Sequence, residues 1–272
     1  MTRIDIQAIA DLIRRVAEEE VLPRWRNLAD GDVTQKDAAG DIVTVADRAA
    51  ERALSAALVA SYPTTRAIGE ETVAERPDLL SLLGSSETVW VIDPIDGTRA
   101  FASGSAQFDV MLALVRGPEI LAGWIFAPVA GAMHMAERGA GAWRQDAGSP
   151  LVRLAPELPR DPASLHGVYG RKRLSPEARK ALEQRGKAFA SLRPAISAGQ
   201  DYARLVSGHR HFALFQQTYP WDHLPGLGIA QEVGFVHAKH DGTPYLPGDS
   251  DGGLLIAPDR DTWRLLKERL LD

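Results

Sequence analysis

The sequence predicts a mixed protein in which an α+β first half packs on an α/β second half. Three β-rich runs, Phe108 to Val115, Ile120 to Ala127 and Ala132 to Ala136, are separated by Gly or Pro turn signals, which is typical of an antiparallel meander. From Leu165 onward, short β-rich runs alternate with helical runs, as in an α/β unit. We therefore expect sheets covered by helices, organised in two parts.

Length and composition are those of an ordinary globular protein. The chain has 272 residues, enough for one large domain or two small ones. We expect an N-terminal α+β domain, residues 1–146, and a C-terminal α/β domain, residues 147–272. A Gly- and Pro-rich stretch from Ala147 to Pro162 is the predicted connector.

The charge balance and the absence of cysteine exclude several classes of function. With 31 Lys and Arg against 36 Asp and Glu, the net charge is −5, which argues against nucleic-acid polymers and anionic membranes as partners. Without cysteine, any metal must be held by oxygen or imidazole. Residues Met1 to Gln7 contain no apolar run behind a basic start, and no stretch has the length of a membrane span. We expect a soluble, cytoplasmic protein.

The N-terminal third predicts two helices around a loop. Apolar residues recur at three- and four-residue steps from Ile6 to Val16, and this helix should end near Pro23. The polar stretch Asn27 to Asp41 predicts a mobile loop. Helix resumes after Thr44, a candidate N-cap.

Two short strands, Arg66 to Gly69 and Thr88 to Ile92, precede the meander. The predicted second half consists of a strand Leu165 to Tyr169, a helix from Ser175, a strand near Ala195, a helix from about Gly199, a helix after Asp222, a strand Gly253 to Ala257 and a helix from Asp259.

The densest chemical signal is the run Trp90 to Thr98, in which a β-rich segment ends in Asp93 and Asp96. Carboxylates at a strand end suit hard divalent cations, and the free N–H groups of a helix opened by Gly97 suit a phosphate. An Asp-Gly pair alone is usually a simple turn. Together, these features predict a site for a metal and a phosphate within one turn.

Two further acidic positions support this interpretation. Glu70 and Glu71 close another short strand, and Asp222 stands before a helical run. The paired glutamates alone would be read as solvated surface, and Trp221 as core. Carboxylates from several segments are what a phosphoryl-transfer centre with several metal ions requires. His209 and His211 are interpreted as surface residues rather than metal ligands.

Four blocks in this order resemble the inositol monophosphatase family. They are Lys36 with Asp41 to Asp47, Gly69 to Glu71, Trp90 to Thr98, and Trp221 to Gly226. The resemblance runs from about residue 5 to 270. It implies a layered αβαβα sandwich of the inositol monophosphatase and fructose-1,6-bisphosphatase type. It also implies Mg²⁺-dependent hydrolysis of a small phosphate monoester, inhibition by Li⁺ and a homodimer.

The resemblance also implies roles for single residues. The metal ligands, for two to three Mg²⁺ ions, would be Glu70, Asp93, the Ile95 carbonyl, Asp96 and Asp222. Most of these ligands lie in the predicted N-terminal domain, and the last one, Asp222, lies in the C-terminal domain with the substrate-facing residues.

Other roles carried over concern water, phosphate and substrate. Asp47 would orient the Thr98 hydroxyl, and Thr98 with Glu70 would position the attacking water. The N–H groups of Gly97 and Thr98 would bind phosphate oxygens. The candidates for substrate contact are Lys36, in the mobile loop near the metals, together with Arg171, Gly199 and Phe215.

The sequence departs from the family pattern at positions that contribute to substrate specificity. The acidic residue that accepts hydrogen bonds from inositol lies seven positions before the last metal aspartate, and here that position is Phe215, which accepts none. The basic run Arg171 to Arg173 could bind a second anionic group, and Phe215 could stack on a base. A solvated basic helix start is the alternative for the same run.

Three functions therefore stay open beside inositol phosphate hydrolysis. The basic run favours a 3'(2'),5'-bisphosphate nucleotidase. The run Thr98 to Gly104 resembles the histidinol-phosphatase branch, although the glutamate that would contact the substrate amine is not evident. A non-catalytic regulator that binds metal or phosphate should have lost Asp47, Thr98 or an acidic ligand, and all are present.

Overall fold

The computed structural model describes residues 4–36, 40–159 and 161–272. The N-terminal Met1 to Arg3, part of the predicted loop (residues 37–39) and residue 160 of the predicted connector lie outside the described residues. The helices are α1 (Ile6–Val16), α2 (Val45–Ser61), α3 (Glu70–Glu75), α4 (Thr98–Ala102), α5 (Pro176–Arg185), α6 (Ala198–Val206), α7 (Pro220–Glu232) and α8 (Arg260–Leu270). A π-helical turn, Ala17–Val21, extends α1.

Fourteen strands form three sheets within the described part of the chain. The strands are β1 (Val33–Gln35), β2 (Ile42–Thr44), β3 (Thr65–Gly69), β4 (Thr88–Asp96), β5 (Asp109–Arg116), β6 (Glu119–Ala127), β7 (Ala132–Glu137), β8 (Gly141–Gln145), β9 (Val152–Arg153), β10 (His166–Tyr169), β11 (Ser191–Pro194), β12 (Phe212–Phe215), β13 (Val236–Ala238) and β14 (Leu254–Ala257).

The two large sheets and their helices form the five layers that the resemblance implies. Strands β3 to β9 make a seven-stranded sheet in sequence order, and the five-stranded sheet has the order β11-β10-β12-β14-β13. Helices α1 and α2 pack on one face of the first sheet, α6 and α7 fill the space between the sheets, and α8 covers the second sheet. The αβαβα prediction is confirmed, because each sheet buries apolar side chains on both faces.

The prediction of a mobile loop over Asn27 to Asp41 missed a short strand within that range. Val33–Gln35 and Ile42–Thr44 pair as an antiparallel hairpin, with Val33 opposite Thr44. The β1 residues are exposed, so the strand lacks the apolar alternation by which a sequence signals a half-buried strand.

Four more strands were missed for related reasons. They are β8, β9, β12 and β13. Three of the four have four residues or fewer, and strands that short carry little pattern. Strand β9 lies past residue 146 but pairs with β8 in the first sheet. The division into residues 1–146 and 147–272 stays a prediction.

Local capping explains why several helix starts were predictable. The Thr44 side chain accepts hydrogen bonds from the amides of Ala46 and Asp47, and the Asp47 side chain accepts one from the Thr44 amide. The side chains of Ser175 and Asp259 likewise each accept a hydrogen bond from an amide in the first turn of α5 and of α8. Among the described residues, no helix combines the length and apolar character needed to cross a membrane.

Candidate active site

The site is built around the end of β4, where the strand leaves its regular pairing. The register with β5 shifts between Asp93 and Asp96, so both side chains come to lie at this end of the sheet. Gly97 follows with φ +87°, and a Cβ there would lie 2.9 Å from the Gln107 carbonyl oxygen. Glycine is required for this turn. The turn brings the N-terminus of α4, at Thr98, beside the two aspartates.

Asp47 and Thr98 are joined by a hydrogen bond across the sequence. The Thr98 Oγ1 lies 3.2 Å from Asp47 Oδ1 and 3.0 Å from the Ile95 carbonyl oxygen, so its single proton serves one acceptor at a time. The second Asp47 oxygen accepts from the Thr44 amide at 2.8 Å. Burial raises the pKa of Asp47 to about 6. The N-cap of α2 thus holds Asp47 in place to orient the Thr98 hydroxyl.

Glu70 and Glu71 meet Lys36 beside this pair. The Lys36 Nζ donates to Glu70 Oε1 at 2.8 Å and to Glu71 Oε1. Burial alone would lower the pKa of Lys36, but the charges and hydrogen bonds of the two glutamates outweigh it and hold that pKa above its ordinary value. Burial raises the pKa of Glu71 to about 7, which the Lys36 ammonium partly opposes. A single ammonium therefore balances one of the two glutamate charges in this structure.

The turn that presents these glutamates is held by a residue that the sequence analysis missed. Glu51 is buried and accepts from the amides of Glu71 at 2.7 Å and Thr72 at 2.8 Å. A Cβ at Gly69 would collide with the Glu51 carboxylate. One signal was available, since Asp47 and Glu51 are four residues apart and so share a face of α2.

Asp222 enters the site from the first turn of α7 and completes the group of carboxylates. Burial, followed by the charges of Glu70 and Asp96, raises the pKa of Asp222 well above its ordinary value. Burial and the charges of Glu70, Asp96 and Asp222 do the same for Asp93. Several acidic groups that oppose one another's ionisation need a cation to be charged together.

The donor chemistry fits a hard cation, although the side chains are not assembled as a finished metal site. Glu70, Asp93, Asp96, Asp222 and the Ile95 carbonyl offer oxygen only, which suits Mg²⁺ better than softer metals. Among the described residues, no three Asp, Glu or His side chains stand at coordination spacing. A bound cation would therefore bring some of these side chains closer together than they are in this structure.

A cleft of about 460 Å³ opens from the carboxylates toward the second sheet. Arg171 and Lys172 line it after β10, and Lys172 Nζ lies 3.1 Å from Asp41 Oδ2. Burial opposes but does not outweigh the effect of Asp41, which raises the pKa of Lys172. Tyr219 stacks on Trp221, with ring centroids 5.1 Å apart and planes at 14°. The cleft thus combines cationic and aromatic walls.

The candidates for substrate contact differ in how they face this cleft. Phe215 lines it but is buried, packing on Tyr202 and His223 with centroids at 6.1 and 4.7 Å. Gly199 is buried and donates its amide to Asp96 Oδ2 at 2.7 Å. Lys36 points at the glutamates instead.

The interpretation of His209 and His211 as surface residues is wrong for His211. Its ring is buried, and the two nitrogens pair with the His166 amide and the Gly208 carbonyl. Both nitrogens are therefore used in holding the fold together.

Comparisons with known proteins show the family to which this sequence is similar. The model of the inositol monophosphatase family matches residues 3–271. The chain is 30% identical to a fructose-1,6-bisphosphatase/inositol-1-monophosphatase of Thermotoga maritima, over 86% of this chain and 83% of that protein. It is 32% identical to a histidinol-phosphatase of Chlorobaculum parvum, over 71% of this chain and 70% of the relative.

Solved structures show the same fold. An inositol monophosphatase of Thermotoga maritima superposes with a TM-score of 0.76 at 25% identity, covering 97% of this chain and 96% of the other. The extragenic suppressor protein SuhB of Bartonella henselae gives a TM-score of 0.78 at 22% identity, covering 97% and 99%.

Proposed function

Since the chain belongs to the inositol monophosphatase family and is a phosphoric monoester hydrolase, we propose that it hydrolyses a small phosphorylated metabolite with two to three Mg²⁺ ions. The observation that carries the proposal is the convergence of Glu70, Asp93, Asp96 and Asp222 on one cleft beside the Asp47–Thr98 pair. Bound Mg²⁺ would neutralise the carboxylates and the developing phosphate charge and would lower the pKa of water.

The residues of this chain supply position and polarity to the reaction. When Asp47 accepts the hydrogen bond of the Thr98 hydroxyl, the lone pairs of Thr98 Oγ1 are free to accept from a water beside Glu70. The amides of Gly97 and Thr98, at the start of α4, would bind phosphate oxygens. These contacts would hold the attacking water and the phosphorus in line, which is the main requirement of phosphoryl transfer.

Lys36 would affect the binding of Mg²⁺ to Glu70. Its ammonium lies on Glu70, one of the proposed ligands. Mg²⁺ binding to Glu70 would therefore displace Lys36 or share that carboxylate with it. Lys36 therefore competes with the cation for the Glu70 carboxylate.

The cleft walls favour a substrate with a second anionic group as the alternative to a neutral polyol phosphate. Lys172 and Arg171 line the same cleft as Phe215, which stands at the position where the family has an acidic residue. A second phosphate, as in a 3'(2'),5'-bisphosphonucleoside, would compete with Asp41 for Lys172. For histidinol phosphate, the support is the named relative from Chlorobaculum parvum.

Homodimer formation, inhibition by Li⁺ and a cytoplasmic location are further parts of the proposal. Their support is the family resemblance of the sequence. Size-exclusion chromatography with light scattering tests the first, and Li⁺ titration of the Mg²⁺-dependent activity tests the second.

A phosphatase screen tests the proposed function. The purified protein is assayed with Mg²⁺ for phosphate release from inositol 1-phosphate, a bisphosphonucleoside, fructose 1,6-bisphosphate and histidinol phosphate. Asp93→Asn and Asp222→Asn should abolish turnover, while Asp78→Asn, at an exposed position, should retain it. Full activity in both variants would refute the assignment of Asp93 and Asp222 to the active site. Faster turnover of inositol 1-phosphate than of the bisphosphonucleoside would refute the second-anion alternative.

A further inference from the structure

The first turn of α6 is bonded to the carboxylate of Asp96. The Gly199 amide donates to Asp96 Oδ2 at 2.7 Å and the Ala198 amide to Oδ1 at 3.3 Å. Because each oxygen receives its own amide, the orientation of this carboxylate follows the position of α6. A helix that moved by an ångström would turn or release the carboxylate.

A second bond anchors the same turn to the first sheet. Gln200 Nε2 donates to Asp109 Oδ2 at 2.9 Å, and Asp109 lies on β5 directly opposite Asp96 in the strand register. Asp109 is 1% exposed, and its other oxygen has no hydrogen-bond partner in the described part of the chain. A buried carboxyl group with one partner is costly to keep for packing alone.

Helix α6 packs closely against β5 at this contact. A Cβ at Gly199 would lie 2.7 Å from the Asp109 Cβ, so the helix reaches the strand only because residue 199 is glycine. Farther along α6, Tyr202, Leu205 and Val206 are buried in the core between the sheets. Packing of its apolar face thus holds the later part of the helix in place, and the Gln200–Asp109 hydrogen bond holds its first turn.

We propose that Gln200 and Asp109 are positioning residues whose hydrogen bond sets the first turn of α6, and through the amides of Ala198 and Gly199 orients Asp96 for cation binding. The inference rests on the proposed function only in taking the cation to be Mg²⁺. Neither residue lines the cleft. Their effect is therefore on the affinity for Mg²⁺, with little on the rate once Mg²⁺ is saturating.

The test compares Gln200→Leu, which keeps the size of the side chain and removes the donor, with the wild-type protein. Mg²⁺ affinity is measured by calorimetry without substrate, and the Mg²⁺ dependence of turnover is measured separately. We expect Mg²⁺ binding to weaken about tenfold and the half-saturating Mg²⁺ concentration to rise by the same factor. The kcat at saturating Mg²⁺ should change less than about twofold, while Tm should fall by about 2–6 °C because the buried Asp109 carboxyl loses its hydrogen-bond partner.

Two further variants separate positioning from other effects. Asp109→Asn keeps an oxygen that accepts from Gln200, so its Mg²⁺ affinity should stay within about threefold of wild type. Gln184→Leu, on the exposed face of α5, should have no effect.

Three results would overturn the inference: unchanged Mg²⁺ affinity in Gln200→Leu, an equal loss in Asp109→Asn, or an equal loss in Gln184→Leu. If wild-type protein binds Mg²⁺ but hydrolyses no monoester, the proposed function fails while a weakened Mg²⁺ affinity in Gln200→Leu still supports the positioning role. If turnover is Mg²⁺-dependent and Gln200→Leu matches wild type, only the positioning role fails.

Discussion

The Lys36 ammonium lies 2.8 Å from Glu70 Oε1 and also contacts Glu71, so a cation of the protein itself occupies the glutamate end of the acidic cleft. Glu71 is buried and its charge depends on this partner. The Lys36 ammonium compensates one of the two glutamate charges, and it would compete with any metal ion for Glu70.

Replacing Lys36 with Met should therefore change stability and cation binding in opposite directions. Without Mg²⁺ the glutamates lose their counter-charge, and we expect the free energy of unfolding to fall by about 1–3 kcal/mol. Mg²⁺ should bind more tightly, because nothing competes for Glu70. Thermal unfolding in EDTA and in Mg²⁺ measures both, with the exposed Lys180→Met as the control. A smaller Mg²⁺-induced rise in Tm in Lys36→Met than in wild type would contradict this account.

Thr98 should matter through its hydroxyl group rather than its size. Thr98→Val removes the hydrogen bond to Asp47 and the site that orients water, and we expect kcat to fall about 100-fold or more. Thr98→Ser retains the hydroxyl and should lose less than about tenfold. Steady-state kinetics at saturating Mg²⁺ distinguishes the two. Equal losses in both variants would assign Thr98 to packing.

Asp93→Asn should raise stability while it removes activity. Asp93 is 1% exposed, and burial and the surrounding acidic groups oppose its charge. An amide at this position relieves the repulsion, so in EDTA at pH 8 we expect about 1–2 kcal/mol of added stability, or about 3–6 °C in Tm. Differential scanning calorimetry measures it, and Asp78→Asn should leave Tm unchanged. A fall in Tm for Asp93→Asn would mean that the repulsion is already relieved.

His134 should make the protein sensitive to acid. It is buried on β7, and burial, with help from Arg144, lowers its pKa from 6.5 to about 4. The unfolded chain therefore binds this proton more readily than the folded protein between these values. Its contribution to stability is present above pH 6.5 and is lost as the pH falls toward 4, by about 3 kcal/mol in total.

Urea unfolding of wild type and His134→Gln from pH 4.5 to 7.5 tests this assignment. The variant should show a flatter decline of the free energy of unfolding with falling pH, whereas His209→Gln, at an exposed position, should follow wild type. Parallel pH profiles for wild type and His134→Gln would show that other groups cause the acid sensitivity.

Much of the fold followed from local signals that need no tertiary information. Thr44, Ser175 and Asp259 each cap a helix at the predicted place, since a capping side chain acts on amides two or three residues away. The meander β5 to β7 could also be predicted from the sequence, because its turns are marked by Gly and Pro. The β1–β2 hairpin was not, because its exposed strand has no apolar pattern.

The amino-acid sequence by itself identified the candidate groups for the chemistry, because the acidic residues at strand and helix ends form motifs that can be recognised along the chain. Only the tertiary structure decided what holds those groups. Hydrogen bonds of Lys36 to Glu70, of the Glu71 amide to Glu51, and of Gln200 to Asp109 each join residues 20 to 91 positions apart. Such pairs leave no local pattern, because their hydrogen bonds form only where tertiary packing brings distant segments together.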